Sequence, residues 1–150
     1  EAPIREGLLI RRVSQAFGFS RAGSRIQTYL ISLLDTMGLP VTDQNGERFY
    51  WTKAHNPDRY ALYRVAGTGD NKRDIRDIPC QEIANAAAAV LRSQVGLPAD
   101  DLIRETARLL GYFRIGTAVR PSIEAGLHYG VQTELLQLPR PQYYILDKEQ

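Results

Sequence analysis

The chain has 150 residues, of which 43% are hydrophobic and 24% charged, and carries a formal net charge of +2. That is the composition of an ordinary globular protein, and no run of about 18 apolar residues occurs that would cross a membrane. The lone cysteine, Cys80, excludes an internal disulfide and favours a reducing, cytoplasmic setting. The start, Glu1-Ala2-Pro3-Ile4-Arg5, has neither an initiator methionine nor a secretory pattern, and reads as a stretch excised from a longer chain. The charge is uneven: residues 1–66 hold 9 Lys and Arg against 6 Asp and Glu, residues 67–150 hold 10 against 11. The first part is therefore the better electrostatic match to a phosphate backbone.

In chain order, Leu9, Val13, Ala16 and Phe17 fall at helical spacing and predict a short helix. Gly18 stands where a C-terminal residue must take positive φ, and stops it. Ser24 is expected to cap a second helix, with an apolar stripe of Ile26, Leu30, Leu33, Leu34 and Met37 that ends at Gly38-Leu39-Pro40. Asn45-Gly46, between Val41-Thr42 and Arg48-Phe49-Tyr50-Trp51, predicts a hairpin. Tyr60 to Val65 reads as an additional strand. A polar, glycine-rich linker follows from Ala66 to Arg73, so the expected division is a first unit over 1–66, a linker over 67–78 and a second unit over 79–150. An alanine-rich helix is expected from Cys80 to Val95. Asp100 or Asp101 is expected to cap a helix over Leu102 to Leu110, and a third helix follows Thr117 and ends near Gly130. A second hairpin is expected to pair Val131 to Glu134 with Tyr143-Tyr144-Ile145-Leu146, across Pro139-Arg140-Pro141.

An internal repeat organises these elements. Leu9-Ile10-Arg11 recurs 93 positions later as Leu102-Ile103-Arg104, Gly18 as Gly111, Arg21 as Arg114 and Gly23 as Gly116. Phe19 matches Tyr112, Ser24 matches Thr117 and Ile26 matches Val119. Two helices joined across a glycine and followed by a hairpin have the order of a winged helix. The expected fold is thus mostly α with short β-hairpins (α+β), as tandem winged-helix or helix-turn-helix repeats.

The motifs Glu1-Ala2-Pro3-Ile4, Leu9 to Gly18, Arg21 to Ile26 and Phe49-Tyr50-Trp51, with Glu105 to Gly111 in the second copy, resemble a bacterial domain of unknown function. That domain is found at the C-terminal end of superfamily-one helicase-like (AAA ATPase) proteins, some of which also carry a restriction-endonuclease-like domain. The resemblance implies a non-catalytic, DNA-associated module whose partners are duplex DNA and the upstream helicase- or nuclease-like domains of its parent chain. The second copy departs from the first, with Ala118 in the place of Arg25 and Pro121 in the place of Thr28, which weighs against its third helix as a groove reader.

In a helix-turn-helix the second helix presents its N-terminal side chains to base edges. The candidate DNA contacts are therefore Ser24, Arg25, Gln27 and Thr28, with Arg21 just before. Arg48 and Lys53 are the candidates on the wing, and Arg114 and Arg120 those of the second copy. Arg suits guanine, Gln suits adenine and helix N-terminal amides suit phosphate. The structural reading of the same residues is that Arg21, Arg25 and Arg114 tie helix ends together and that Ser24 and Thr117 are caps. The rival function is a protein-docking module, with Tyr60, Tyr63, Tyr143 and Tyr144 as its exposed patch. An enzyme is not expected. Asp58 with Asp70-Asn71-Lys72 imitates a metal-dependent nuclease only in part, because the second element falls in the linker. His55 and His128 lack partners at metal-ligand spacing, so neither a metal nor a cofactor is expected. Cys80 has no nearby base. Trp51 is assigned to packing the wing on the helices.

Overall fold

The computed structural model describes residues 2–65, 73–140 and 143–146. The protein is α+β, with five α-helices and two three-stranded antiparallel sheets among the described residues. It divides into two compact units, Glu1–Arg59 and Tyr60–Gln150.

The first unit runs β1 (Ile4–Arg5), α1 (Glu6–Ala16), α2 (Ser24–Thr36), β2 (Val41–Gln44) and β3 (Glu47–Tyr50), with strand order β1-β3-β2. Asn45 and Gly46 both take positive φ, 56° and 79°, the two-residue turn whose twist matches antiparallel strands. Ile4 lies opposite Tyr50, and Tyr50 opposite Val41, so β3 is central. Its core is small: Ile4, Leu8 and Tyr50, backed by half-buried Leu9, Leu34 and Leu39. Trp51 is buried and donates its indole N–H to Thr42 Oγ1 at 3.0 Å, which fastens the hairpin.

The second unit opens with α3 (Cys80–Arg92), then runs β4 (Leu97–Pro98), α4 (Ala99–Leu109), α5 (Val119–Gln132), β5 (Leu136–Arg140) and β6 (Tyr143–Leu146), in strand order β4-β6-β5. From β4 onward this is the element order and strand order of the first unit. The 93-residue offset holds at both ends of the first two elements, β1 to β4 and α1 to α4. Both helices end in one way. Gly18 (φ 81°) donates to Gln15 O and Phe19 to Ser14 O; Gly111 (φ 90°) donates to Arg108 O and Tyr112 to Ala107 O. This paired bonding across a left-handed glycine satisfies carbonyls the helix end would otherwise orphan.

α3 has no counterpart in the first unit. It is buried from Gln81 to Ala88 and at Leu91, as expected of a helix apolar on most sides and rich in alanine. Small residues let it approach α5: a Cβ on Gly126 would lie 2.3 Å from Ile83 Cγ2. Its one buried carboxylate, Glu82, is fully enclosed and answered by Arg64 and Arg73; Arg73 Nη2 donates to Glu82 Oε2 at 3.0 Å. Asn85 Nδ2 donates to the carbonyls of Tyr60 and Leu62 at 2.8 and 2.9 Å.

Those bonds correct the expected strand over 60–65. The segment has no regular structure because its backbone groups are answered by side chains of α3 rather than by a neighbouring strand, and it belongs to the second compact unit. The expected linker differs likewise. Residues 66–72 lie outside the described residues, but Ile75–Asp77 forms a 3-10 turn whose Ile75 and Asp77 are buried. The apolar stripe of α1 is rotated: Leu8, Ile10 and Ser14 are buried, whereas Ala16 and Phe17 are exposed. α2 buries no residue fully, and Leu33 and Met37 of its expected stripe are exposed. α3 ends at Arg92 rather than Val95. Residues 131–134 finish α5 and turn, with Glu134 at φ 60°, so the second hairpin begins at Leu136 instead. Pro121 lies in the first turn of α5, where its missing N–H costs nothing.

Two substitutions test this packing by chemical denaturation. Glu82→Ala leaves two guanidinium groups without their buried partner and is expected to cost about 3–5 kcal/mol. Gly126→Ala forces a methyl into Ile83 and is expected to cost about 1–3 kcal/mol.

Candidate nucleic-acid interface

Five of the candidate residues lie together at the start of α2. Gly23, extended at φ −65° and ψ 163°, is the N-cap residue, and no side chain caps the helix. Ser24 is thus the first helical residue and not the cap expected of it. The first-turn amides remain available to water or an anion, and no acidic side chain stands in that turn. Ser24, Arg25, Gln27 and Thr28 are exposed, as is Arg21 on the preceding turn. Arg21 and Arg25 make no hydrogen bond or ion pair among the described residues, so the tying of helix ends foreseen for them is not observed. Two neighbours are turned back on the backbone instead: Gln27 Nε2 donates to Ala22 O at 2.9 Å, and Thr28 Oγ1 to Ser24 O at 3.0 Å.

The other candidates are differently placed. Arg48, on β3, is neutralised: Nη2 donates to Asp35 Oδ1 at 2.6 Å, and Nη1 lies 3.2 Å from Glu6 Oε2. The bond to Asp35 is the main reason its guanidinium is held above the ordinary range. Tyr50, beneath Arg48, donates to Glu6 at 2.9 Å, and burial followed by that bond pushes its phenol up to about 12. Lys53 is exposed beyond β3. In the second unit Arg114 is exposed without a partner among the described residues. Arg120 is engaged by Asp100 at 2.9 Å and Glu124 at 3.3 Å, which raise its pKa in that order. Asp100 and Asp101 lie in the first turn of α4 rather than capping it; Asp101 pairs with Arg104 at 2.6 Å. Thr117 is exposed ahead of α5, whose N-cap position is Ala118.

The remaining sequence candidates separate as well. Tyr60, Tyr63, Tyr143 and Tyr144 are half-buried, with Tyr63 and Tyr144 packed against the core, so they form no exposed patch. The large exposed apolar side chains of the first unit are Phe17, Phe19, Tyr29, Leu33, Met37 and Val41. Asp58 sits in an exposed 3-10 turn, and its supposed companions, residues 70–72, lie outside the described residues. Among the described residues no three metal-ligating side chains gather. Burial pushes the Cys80 thiol up, against the activation a nucleophile needs. Among the described residues no helix is long and apolar enough to cross a membrane.

Sequence reasoning missed Arg11, which is exposed on α1 and has no partner among the described residues. A signal for it existed. Its counterpart Arg104 is paired with Asp101, while Leu8 stands at the equivalent place.

Comparison with known proteins gives one family. Residues 1–28 match the model of a family described as a protein of unknown function (DUF3320). The match takes in β1, α1, the glycine turn and the start of α2 as far as Thr28. Neither a curated protein nor a solved structure matches the chain. The matched stretch carries Arg11, Arg21 and Arg25.

Proposed function

We propose that the chain is a non-catalytic DNA-binding module of a larger helicase-like protein, made of two winged-helix units, that binds duplex or forked DNA through the start of α2. A winged helix places a short strand before two helices and returns the chain through a hairpin. The order β1-α1-α2-β2-β3 with β3 central accords with that arrangement, and α3 would be the leading helix of the second unit. The observation that carries the reading is the uncapped, acid-free first turn of α2 with two exposed arginines, Arg25 in it and Arg21 just before it, without carboxylate partners among the described residues. In the major groove such arginines address guanine edges, and against the backbone they release counterions. The first unit is favoured over the second because Arg120 is held by two carboxylates and Ala118 replaces Arg25.

The test is a fluorescence-anisotropy titration of the whole chain against duplex, single-stranded and forked DNA at two salt concentrations. Arg25→Ala is expected to weaken duplex binding by about 1–3 kcal/mol and to lower the salt slope by about one counterion. If the intact chain binds no duplex at low salt, the reading fails.

A specific observation favours a second reading, docking onto the parent helicase-like domains. Apolar positions that are covered in the second unit lie bare in the first. Phe17 is 77% exposed where Leu110 is 3% exposed, and Met37 is 52% exposed where Gly130 is buried beneath Leu136 and Ala84. We infer that the occupant is a helix with a small apolar face like that of α3. Phe17→Glu with Leu33→Glu is then expected to abolish binding to purified helicase-like domains of the parent in the absence of DNA, with duplex affinity unchanged. Unimpaired association of the double variant would rule out this surface.

A further inference from the structure

The turn between α1 and α2 encloses a cavity of about 370 Å³ walled by Gly7, Arg11, Ser14, Ser20, Arg21 and Gln27, among others. Its size is within the range of small-molecule sites, and no carboxylate lines it. Ser14 is only 2% exposed, and its hydroxyl has no hydrogen-bond partner, an arrangement that costs free energy unless something answers it. Neither arginine has an anionic partner among the described residues.

The second unit differs at the equivalent positions. In the second unit the residues equivalent to Gly7 and Gln27 are Asp100 and Arg120, and these two close on each other at 2.9 Å. The equivalent of Arg11 is Arg104, neutralised by Asp101. The first unit lacks both acids: Gly7 and Leu8 stand in their places, and the side chain of Gln27 turns away to Ala22 O. Positions that hold exposed ion pairs in the second unit are thus acid-free, beside two arginines, in the first.

We propose that this cavity is a binding site for a phosphoryl group, either a phosphodiester of nucleic acid or the phosphate of a free small molecule. Two guanidinium groups offer planar donor forks matched to phosphate oxygens. Ser14 and Ser20 add hydroxyl groups to the same wall. The site shares Arg21 and Gln27 with the proposed duplex face, but a free phosphate fills it without DNA, so phosphate binding and duplex binding fail separately.

The experiment is a titration of the isotope-labelled full chain with sodium phosphate, followed by amide NMR, against sodium chloride at matched ionic strength. Phosphate is expected to give saturable shifts at Arg11, Ser14, Arg21 and Gln27 that chloride does not reproduce. The double variant Gly7→Asp with Gln27→Arg installs the ion pair of the second unit. A Cβ at Gly7 meets nothing within 4 Å, and an acid in the first turn of a helix is favourable, so this variant folds. It is expected to bind phosphate at least about tenfold more weakly, the loss of roughly one charged hydrogen bond. The surface variant Arg11→Gln gives an independent second reading of the same loss. Identical responses to phosphate and chloride, or a double variant that binds phosphate like the native chain, would overturn the proposal. Adding duplex DNA separates the two sources. Competition with phosphate assigns the cavity to a backbone phosphodiester, and its absence, with phosphate still bound, to a free phosphorylated molecule.

Discussion

A helix that stops on a left-handed glycine is the constraint on which each unit is built. At Gly18 and at Gly111 the chain takes a positive φ, and two backbone bonds from the glycine and the residue after it satisfy the last carbonyls of the helix. A residue with a Cβ would be strained there. Because the helix ends at this point, the turn that follows is short and fixed, and the next helix leaves in a set direction. The strand before the first helix and the hairpin after the second are held to each other by β3 and by β6 respectively.

What differs between the copies is what lies over that frame. In the second unit α3 supplies a nearly all-buried, alanine-rich helix that packs closely on α5 through glycine. Its one enclosed carboxylate, Glu82, gathers Arg64 and Arg73 and so holds residues before and after the undescribed stretch to the same helix. The core is correspondingly broad. In the first unit the equivalent helix pair has only a hairpin and a short strand to pack on, and α2 buries no residue fully. Apolar side chains that are interior in one copy are surface in the other. Burial here is a property of the cover, not of the side chain.

The same comparison governs the charges. Arginine recurs as Arg11 and Arg104 and as Arg21 and Arg114; in the second unit carboxylates claim Arg104, and also Arg120 where the first unit has Gln27, while Arg114 is without a partner among the described residues. In the first unit, glycine and leucine occupy the positions of those carboxylates, leaving Arg11 and Arg21 unpaired among the described residues around an acid-free cavity. The two units share element order and strand order but differ in which of their arginines are paired.

From the residues alone, the local events were legible. Glycine stops, an Asn-Gly turn, helical spacing and a 93-residue repeat depend on backbone preferences that act over a few positions, and they located α1, α2, α4, α5 and the first hairpin. The two-residue strands β1 and β4 were not legible, since two residues carry no period; only their pairing with β3 and β6 makes them strands. Nor could the faces of α1 and α2 be assigned. A stripe indicates which side is apolar but not whether anything covers it, and Phe17, Leu33 and Met37 are exposed. The segment 60–65 looked like a strand by composition, yet Asn85 and Glu82 bind its backbone instead. The basic residues at the start of α2 were nameable from spacing. That Arg48 and Arg120 are neutralised while Arg11 and Arg21 are not depended on distances between side chains far apart in sequence, and only the tertiary structure decides those.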